Sequence, residues 1–166
     1  MDSDPAGKGG PVSSVQNSGY SGGANPIVLY DGVCGLCNRT VQFALKRDRA
    51  GIFRFASLQS GLASRILARH GKDASDLDTV YVVLDYDPAN LEKGGERLLV
   101  RSDAVLYILR RLDGFWGAMG SLLRWIPRPI RDWGYGIVAR IRYQVFGKYD
   151  TCPIPSVETR ARFLDL

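Results

Sequence analysis

The stretch Ile27-Val28-Leu29-Tyr30-Asp31-Gly32-Val33-Cys34-Gly35-Leu36-Cys37-Asn38 decides the fold. Its apolar run, stopped by Asp-Gly, reads as a buried strand delivered into a loop. A helix follows from about Cys34. Cys37, Val41, Ala44 and Leu45 recur at i, i+4, i+7 and i+8 on one face, and Asp48 with Gly51 marks the end. The Cys-x-x-Cys pair thereby falls at a strand-to-helix junction, where unpaired N–H groups and the helix dipole favour a thiolate. Cys34 is expected to be the exposed attacking thiol with a lowered pKa. Cys37, one turn inside, is expected to be the shielded thiol that resolves a mixed disulfide.

Further along, Ile52–Ala56 alternates as a strand does, and Leu62, Ile66 and Leu67 repeat at helical spacing up to Gly71. Thr79–Leu84, β-branched and aromatic, has the strongest strand character and should be central. Arg97–Arg101 reads as its hairpin partner across a polar, Gly-rich loop. Ser102 is expected to cap a helix whose core face is Val105, Ile108, Leu109 and Leu112. The order β-α-β-α-β-β-α predicts an α/β, thioredoxin-like fold. A C-terminal helical extension should occupy about 115–166, broken at Pro127 and Pro129.

A chain of 166 residues fits one domain, expected over 26–166. At this size folding buries roughly 68–70% of the unfolded surface, so stability needs neither disulfide nor metal. Residues 1–25 carry almost no aliphatic side chains and are expected to be a disordered tail. They also lack the apolar stretch of a secretory signal, and no run approaches the ~18–20 apolar residues of a membrane span. The chain therefore reads as cytoplasmic. In that reducing compartment its 3 cysteines are too few for a structural disulfide framework. The net charge of +5 comes from basic residues spread between Arg39 and Arg162, which favours a solvated basic surface over a nucleic-acid site.

A Cys-x-x-Cys pair also forms half of many zinc sites. Cys34, Cys37, His70 and Cys152 would complete a Cys₃His set, but His70 and Cys152 do not form a second close ligand pair. His70, at a helix end before Gly71, is more simply a partner of the C-terminal dipole. No metal is expected, and the remaining alternative is a pair of packed thiols without chemistry.

Tyr30-Asp31-Gly32-Val33-Cys34-Gly35-Leu36-Cys37-Asn38 resembles the DCC family of thiol-disulfide oxidoreductases, named for an Asp-x-x-Cys-x-x-Cys motif. The likeness continues through Phe53–Ser60, Arg101–Ala104, Pro127–Pro129 and Arg142–Gly147 in the expected order. It covers about 26–166 and implies Asp31, Cys34 and Cys37 as the defining residues. A carboxylate at Asp31 would either relay a proton during exchange or pin the loop by accepting N–H bonds. No proline precedes Thr79–Leu84, where thioredoxins and glutaredoxins usually place a cis-proline, so substrate docking should differ from theirs.

Val100-Arg101-Ser102-Asp103-Ala104 is similar to the segment with which glutathione transferases and glutaredoxins hold glutathione. Ser102 and Asp103 are thus candidate substrate-binding residues, with glutathione as a co-substrate. A plain Ser cap followed by an acid in the first turn explains both without a ligand. The expected partner is otherwise a protein or small-molecule disulfide or thiol. The stretch Leu122–Trp133 interleaves Trp and Arg as membrane-surface segments do, although packing of both Trp against the domain is expected. An adaptor binding membrane or nucleic acid through this region is the rival function class, together with a non-redox module. Cys152 reads as a packed thiol, with a third redox thiol as the alternative.

Overall fold

The computed structural model describes residues 25–88, 95–149 and 157–165. The expected tail up to residue 24, and Cys152, lie outside them. In chain order the elements are β1 (Ile27–Tyr30), α1 (Gly35–Arg47), β2 (Arg54–Ser57), α2 (Gly61–Arg69), β3 (Tyr81–Leu84), β4 (Arg97–Val100), α3 (Ser102–Arg111), α4 (Phe115–Leu123), α5 (Arg128–Phe146) and α6 (Val157–Arg160). The mixed sheet has the order β2-β1-β3-β4, with β1 and β2 parallel and the other pairs antiparallel. This is the thioredoxin-like arrangement expected from the sequence. Both strong apolar runs became central strands, since β1 and β3 are buried along their whole length.

Alternation along the strands divides the core in two. Val28, Tyr30, Phe55 and Val82 face α1 and α3 together with Val41, Ala44 and Ile108. Ile27, Leu29, Ala56, Tyr81 and Val83 face α2 through Ala63, Ile66 and Leu67. Each Val, Leu, Ile or Phe side chain among them contributes about 1.5–3 kcal/mol when fully buried. The C-terminal end is tied to β2, with Phe55 N donating to Arg162 O at 2.8 Å and Leu164 N to Phe55 O at 3.0 Å. Phe163 thereby stacks near Phe55 and Tyr30.

The extension is helical, and it is interrupted at the expected prolines, Pro127 preceding α5 and Pro129 lying in its first turn. A Cβ on Gly117 would meet Leu112 O at 2.9 Å, and one on Gly120 would meet Arg110 N at 2.9 Å, so these glycines let α4 lie tightly on α3. Trp116 packs edge-on against Phe43 of α1, ring centroids 4.8 Å apart.

Three expectations are corrected. Ser102 is the first residue of α3 and makes no cap. Arg101 precedes the helix in a positive-φ conformation, and the Ser102 hydroxyl donates to Asp132 instead. Of the expected core face, Ile108 and Leu112, the residue after α3, are buried, together with Ala104 and Leu106, whereas Val105 and Leu109 are only half-buried beside a cavity. Trp125 and Trp133 do not pack against the domain. They are 87% and 71% exposed, because α5 turns Ala139 and Arg142 inward and leaves Trp133, Ile137 and Ile141 outside.

Candidate functional site

Strand β1 ends at Tyr30, and the next residues turn the chain into α1 with Cys34 as its N-cap. Cys34 Sγ accepts the Cys37 backbone N–H at 3.3 Å, a place usually taken by a Ser or Asp oxygen. The turn is held by Asn38, whose Nδ2 donates to Gly32 O at 2.7 Å and Cys34 O at 3.0 Å. Gln59, after β2, fixes it from the other side. Its Oε1 accepts Gly32 N–H at 3.1 Å and its Nε2 donates to Asp31 Oδ1 at 2.9 Å. Both cysteines are free thiols.

The Cys34 thiol is drawn down from 9.0 to about 6. The main cause is the hydrogen bond with the Cys37 side chain; the Cys37 N–H and the Arg142 charge add to it, while burial and the Asp31 charge oppose. Cys37 moves the other way, raised first by its hydrogen bond to Cys34, then by burial, then by the charge of Cys34. The expected division into a low-pKa first thiol and a protonated second one thus has a geometric basis. Since the thiolate reacts, Cys34 alkylation should rise as pH increases through about 6 and level off above it, where a thiol of pKa 9.0 would still be climbing. Iodoacetamide labelling followed by peptide mass analysis checks this, and Cys37→Ala should move the midpoint upward.

The expected exposure is reversed. Cys34 is fully buried and Cys37 is half-buried. The cover comes from the chain that leaves α5. Lys148 pairs with Cys34 in an antiparallel bridge, Gly35 N donates to Gly147 O at 3.1 Å, and Tyr149 N donates to Val33 O at 2.7 Å. Gly147, at φ 73° and ψ 172°, makes a turn that glycine alone adopts readily. A Cβ on Gly35 would stand 2.1 Å from Phe146 O, so the strap can lie across the dithiol only because residue 35 has no side chain.

Asp31 is 1% exposed and fully engaged. Its Oδ1 accepts Val33 N at 3.1 Å and Gln59 Nε2 at 2.9 Å. Its Oδ2 accepts the Tyr143 hydroxyl and lies 3.4 Å from an Arg142 guanidinium nitrogen. Arg142, 3% exposed, also reaches Leu77 O at 2.7 Å and Asp78 Oδ1 at 3.3 Å. Burial, reinforced by Asp31, pushes the Tyr143 hydroxyl up to about 12. Next to this network Tyr135 Oη accepts Val80 N at 2.9 Å. The backbone preceding β3 is therefore bonded to α5, at the point where the sequence lacks a proline.

Sequence reasoning noticed Arg142, Tyr143 and Gln59 only as parts of resembling segments and did not assign them to the site. A buried arginine has the same helical spacing as a solvated one. The pairing of Arg142 with Asp31 spans 111 residues and leaves no local pattern.

The other candidates lie in separate networks. Ser102 Oγ donates to Asp132 Oδ1 at 2.5 Å, while Asp103 pairs with Arg131 at 3.1 Å and Arg128 at 3.1 Å. His70 Nε2 meets Glu96 Oε1 at 2.7 Å. Among the described residues no three His, Cys, Asp or Glu side chains form a metal-ligand cluster. No helix among them is long and apolar enough to cross a membrane.

Comparison with known proteins identifies the family. Residues 28–148 match the family model of the DCC1-like thiol-disulfide oxidoreductases. The uncharacterized protein YuxK of Bacillus subtilis is 35% identical over 140 residues, which is 84% of this chain and 94% of YuxK. A chloroplastic DCC family protein of Arabidopsis thaliana is 35% identical over 129 residues, 78% of this chain and 69% of that protein. No solved structure matches the chain. The matched region contains the dithiol turn, Asp31 and the covering strap as far as Lys148, and the chain belongs to the DCC1-like thiol-disulfide oxidoreductase family.

Proposed function

We propose that this protein exchanges disulfides by cycling Cys34 and Cys37 between dithiol and disulfide, with Cys34 attacking. The observation that carries the reading is Cys34 Sγ at the N-terminus of α1, bonded to the Cys37 N–H at 3.3 Å. The Cys34 thiolate attacks one sulfur of the substrate disulfide, forming a mixed disulfide and expelling a thiolate that takes up a proton. Cys37 then loses its proton and attacks Cys34 Sγ, closing the intramolecular disulfide and releasing the second substrate thiol. The substrate gains the two electrons that the dithiol gives up. The largest cause holding the proton on Cys37, its hydrogen bond to Cys34, vanishes once Cys34 is in the mixed disulfide, and so does the charge there, while burial remains.

Asp31 acts in this scheme as a positioning residue, since its oxygens already accept from Val33, Gln59 and Tyr143 and face Arg142. Substrate reaches Cys34 when the strap over it lifts. Protein or small-molecule disulfides fit this chemistry, and the reading places the protein in a reducing compartment, the cytoplasm. Glutathione enters as a thiol co-substrate. Binding it at Ser102 and Asp103 requires breaking their bonds to Asp132, Arg128 and Arg131.

Trapping tests the proposal. In a Cys37→Ser variant the second step is blocked, so a mixed disulfide through Cys34 should accumulate with cystamine or oxidised glutathione and be resolved by added dithiol. Failure to accumulate it, with Cys34 still alkylated in the unfolded protein, contradicts the mechanism.

A further inference from the structure

A cavity of about 550 Å³ lies between the sheet, α1, α3 and the α4–α5 extension. Its volume is that of a small-molecule site, and its lining is almost wholly apolar. Polar side chains interrupt that lining: Thr40, Ser102 and Arg131, already bonded to Leu36 O, Asp132 and Asp103, and Cys37, Tyr135 and Arg142. Arg142 is 3% exposed, and its Nε–H is buried without a hydrogen-bond partner among the described residues. An unpaired buried donor is costly, and it calls for an acceptor that the described residues do not supply. Tyr135 Oη accepts the Val80 N–H, which leaves its own proton for another acceptor.

These features define an occupant with an apolar body and a hydrogen-bond acceptor near Cys37. The acceptor should be neutral. Arg142 already faces the buried Asp31 carboxylate at 3.4 Å and Asp78 at 3.3 Å, so a third anion there would be repelled and poorly solvated. The entrance agrees with an apolar visitor. Ile126, Ile130 and Val138 line the cavity and are also 37%, 57% and 46% exposed, so it opens to solvent between these apolar side chains.

We propose that this cavity binds a quinone, whose carbonyl accepts from Arg142 and Tyr135 beside Cys37, and that the quinone accepts electrons from the dithiol. The electron transfer rests on the redox reading above, whereas binding does not. In the balanced reaction, Cys34 and Cys37 form an S–S bond and give up two electrons and two protons, and the two quinone carbonyls become the hydroxyls of the hydroquinone. A Cys34 already ionised draws its share of protons from solvent.

Decylubiquinone is the probe, first with a Cys34→Ser, Cys37→Ser protein that cannot react. Saturable binding is expected. Leu109→Trp, which fills the cavity, should weaken it about tenfold or more, with Val105→Phe as a second filling variant, and Tyr135→Phe should weaken it about tenfold. Circular dichroism melts establish that each variant is folded. Equal binding to a folded, cavity-filled variant, or dodecanoate binding as tightly as the quinone, overturns the site. With reduced wild-type protein under anaerobic conditions, one quinone should be reduced for each Cys34–Cys37 disulfide formed. Binding without reduction overturns the acceptor role. A mixed disulfide trapped in Cys37→Ser would still uphold the dithiol mechanism, so the two readings fail separately.

Discussion

Replacing Gly35 by alanine is expected to raise the alkylation rate of native Cys34 about tenfold or more, while lowering stability by about 1–3 kcal/mol. Both signs run against local propensity. Gly35 lies in the first turn of α1 and is not in the left-handed region, and alanine in a helix ordinarily stabilises by roughly 0.5–1 kcal/mol. The loss comes from the strap. The new Cβ would stand 2.1 Å from Phe146 O, so residues 146–149 must move away and surrender the Gly35–Gly147 and Val33–Tyr149 hydrogen bonds. Those bonds are what bury Cys34. Labelling kinetics with iodoacetamide and thermal denaturation of the same variant check the two halves. Unchanged labelling in a destabilised protein would mean that the strap does not limit access.

Asp31→Asn should cost about 3–5 kcal/mol, roughly 6–20 °C in melting temperature, because it deprives buried Arg142 of its one buried carboxylate partner among the described residues and leaves it only the exposed Asp78. The Asp31 and Arg142 side chains are only 1% and 4% exposed. The amide also presents a donor to the Tyr143 hydroxyl or to Arg142, where Oδ2 had accepted. Asp78→Asn is the control. It removes another partner of the same guanidinium, but Asp78 is 68% exposed, so its loss should cost no more than about 1 kcal/mol. Equal melting temperatures for the two variants would show that Asp31 does not anchor α5 to the dithiol turn.

These two residues also mark how far the sequence could be read. The β1–α1 junction was legible because an apolar run, an Asp-Gly stop and a helical repeat lie within a few turns of one another. The dithiol pKa order followed from the same local geometry. The cover over Cys34 was not legible. It is made by residues 146–149, more than a hundred positions downstream, and by main-chain bonds that any residue type can form. Gly35 carried no signal in the sequence beyond its place between the two cysteines, although its missing side chain is what admits the strap. Trp125 and Trp133 misled in the opposite direction, since large aromatic residues usually pack and these face outward. Val105 and Leu109 have correct helical spacing for a core face, but the space before them is a cavity. Ser102 has the right type for a cap, and its hydroxyl is instead drawn to Asp132 on α5.

The central claim is that Cys34 and Cys37 form a reversible redox couple, and thiol titration across a series of glutathione redox buffers tests it most directly. The account predicts a single two-electron transition that consumes both thiols together, with peptide mapping of the oxidised protein giving a Cys34–Cys37 disulfide that dithiothreitol reverses. Two thiols that stay reduced across the series, or that are protected by a stoichiometric zinc ion, would contradict it.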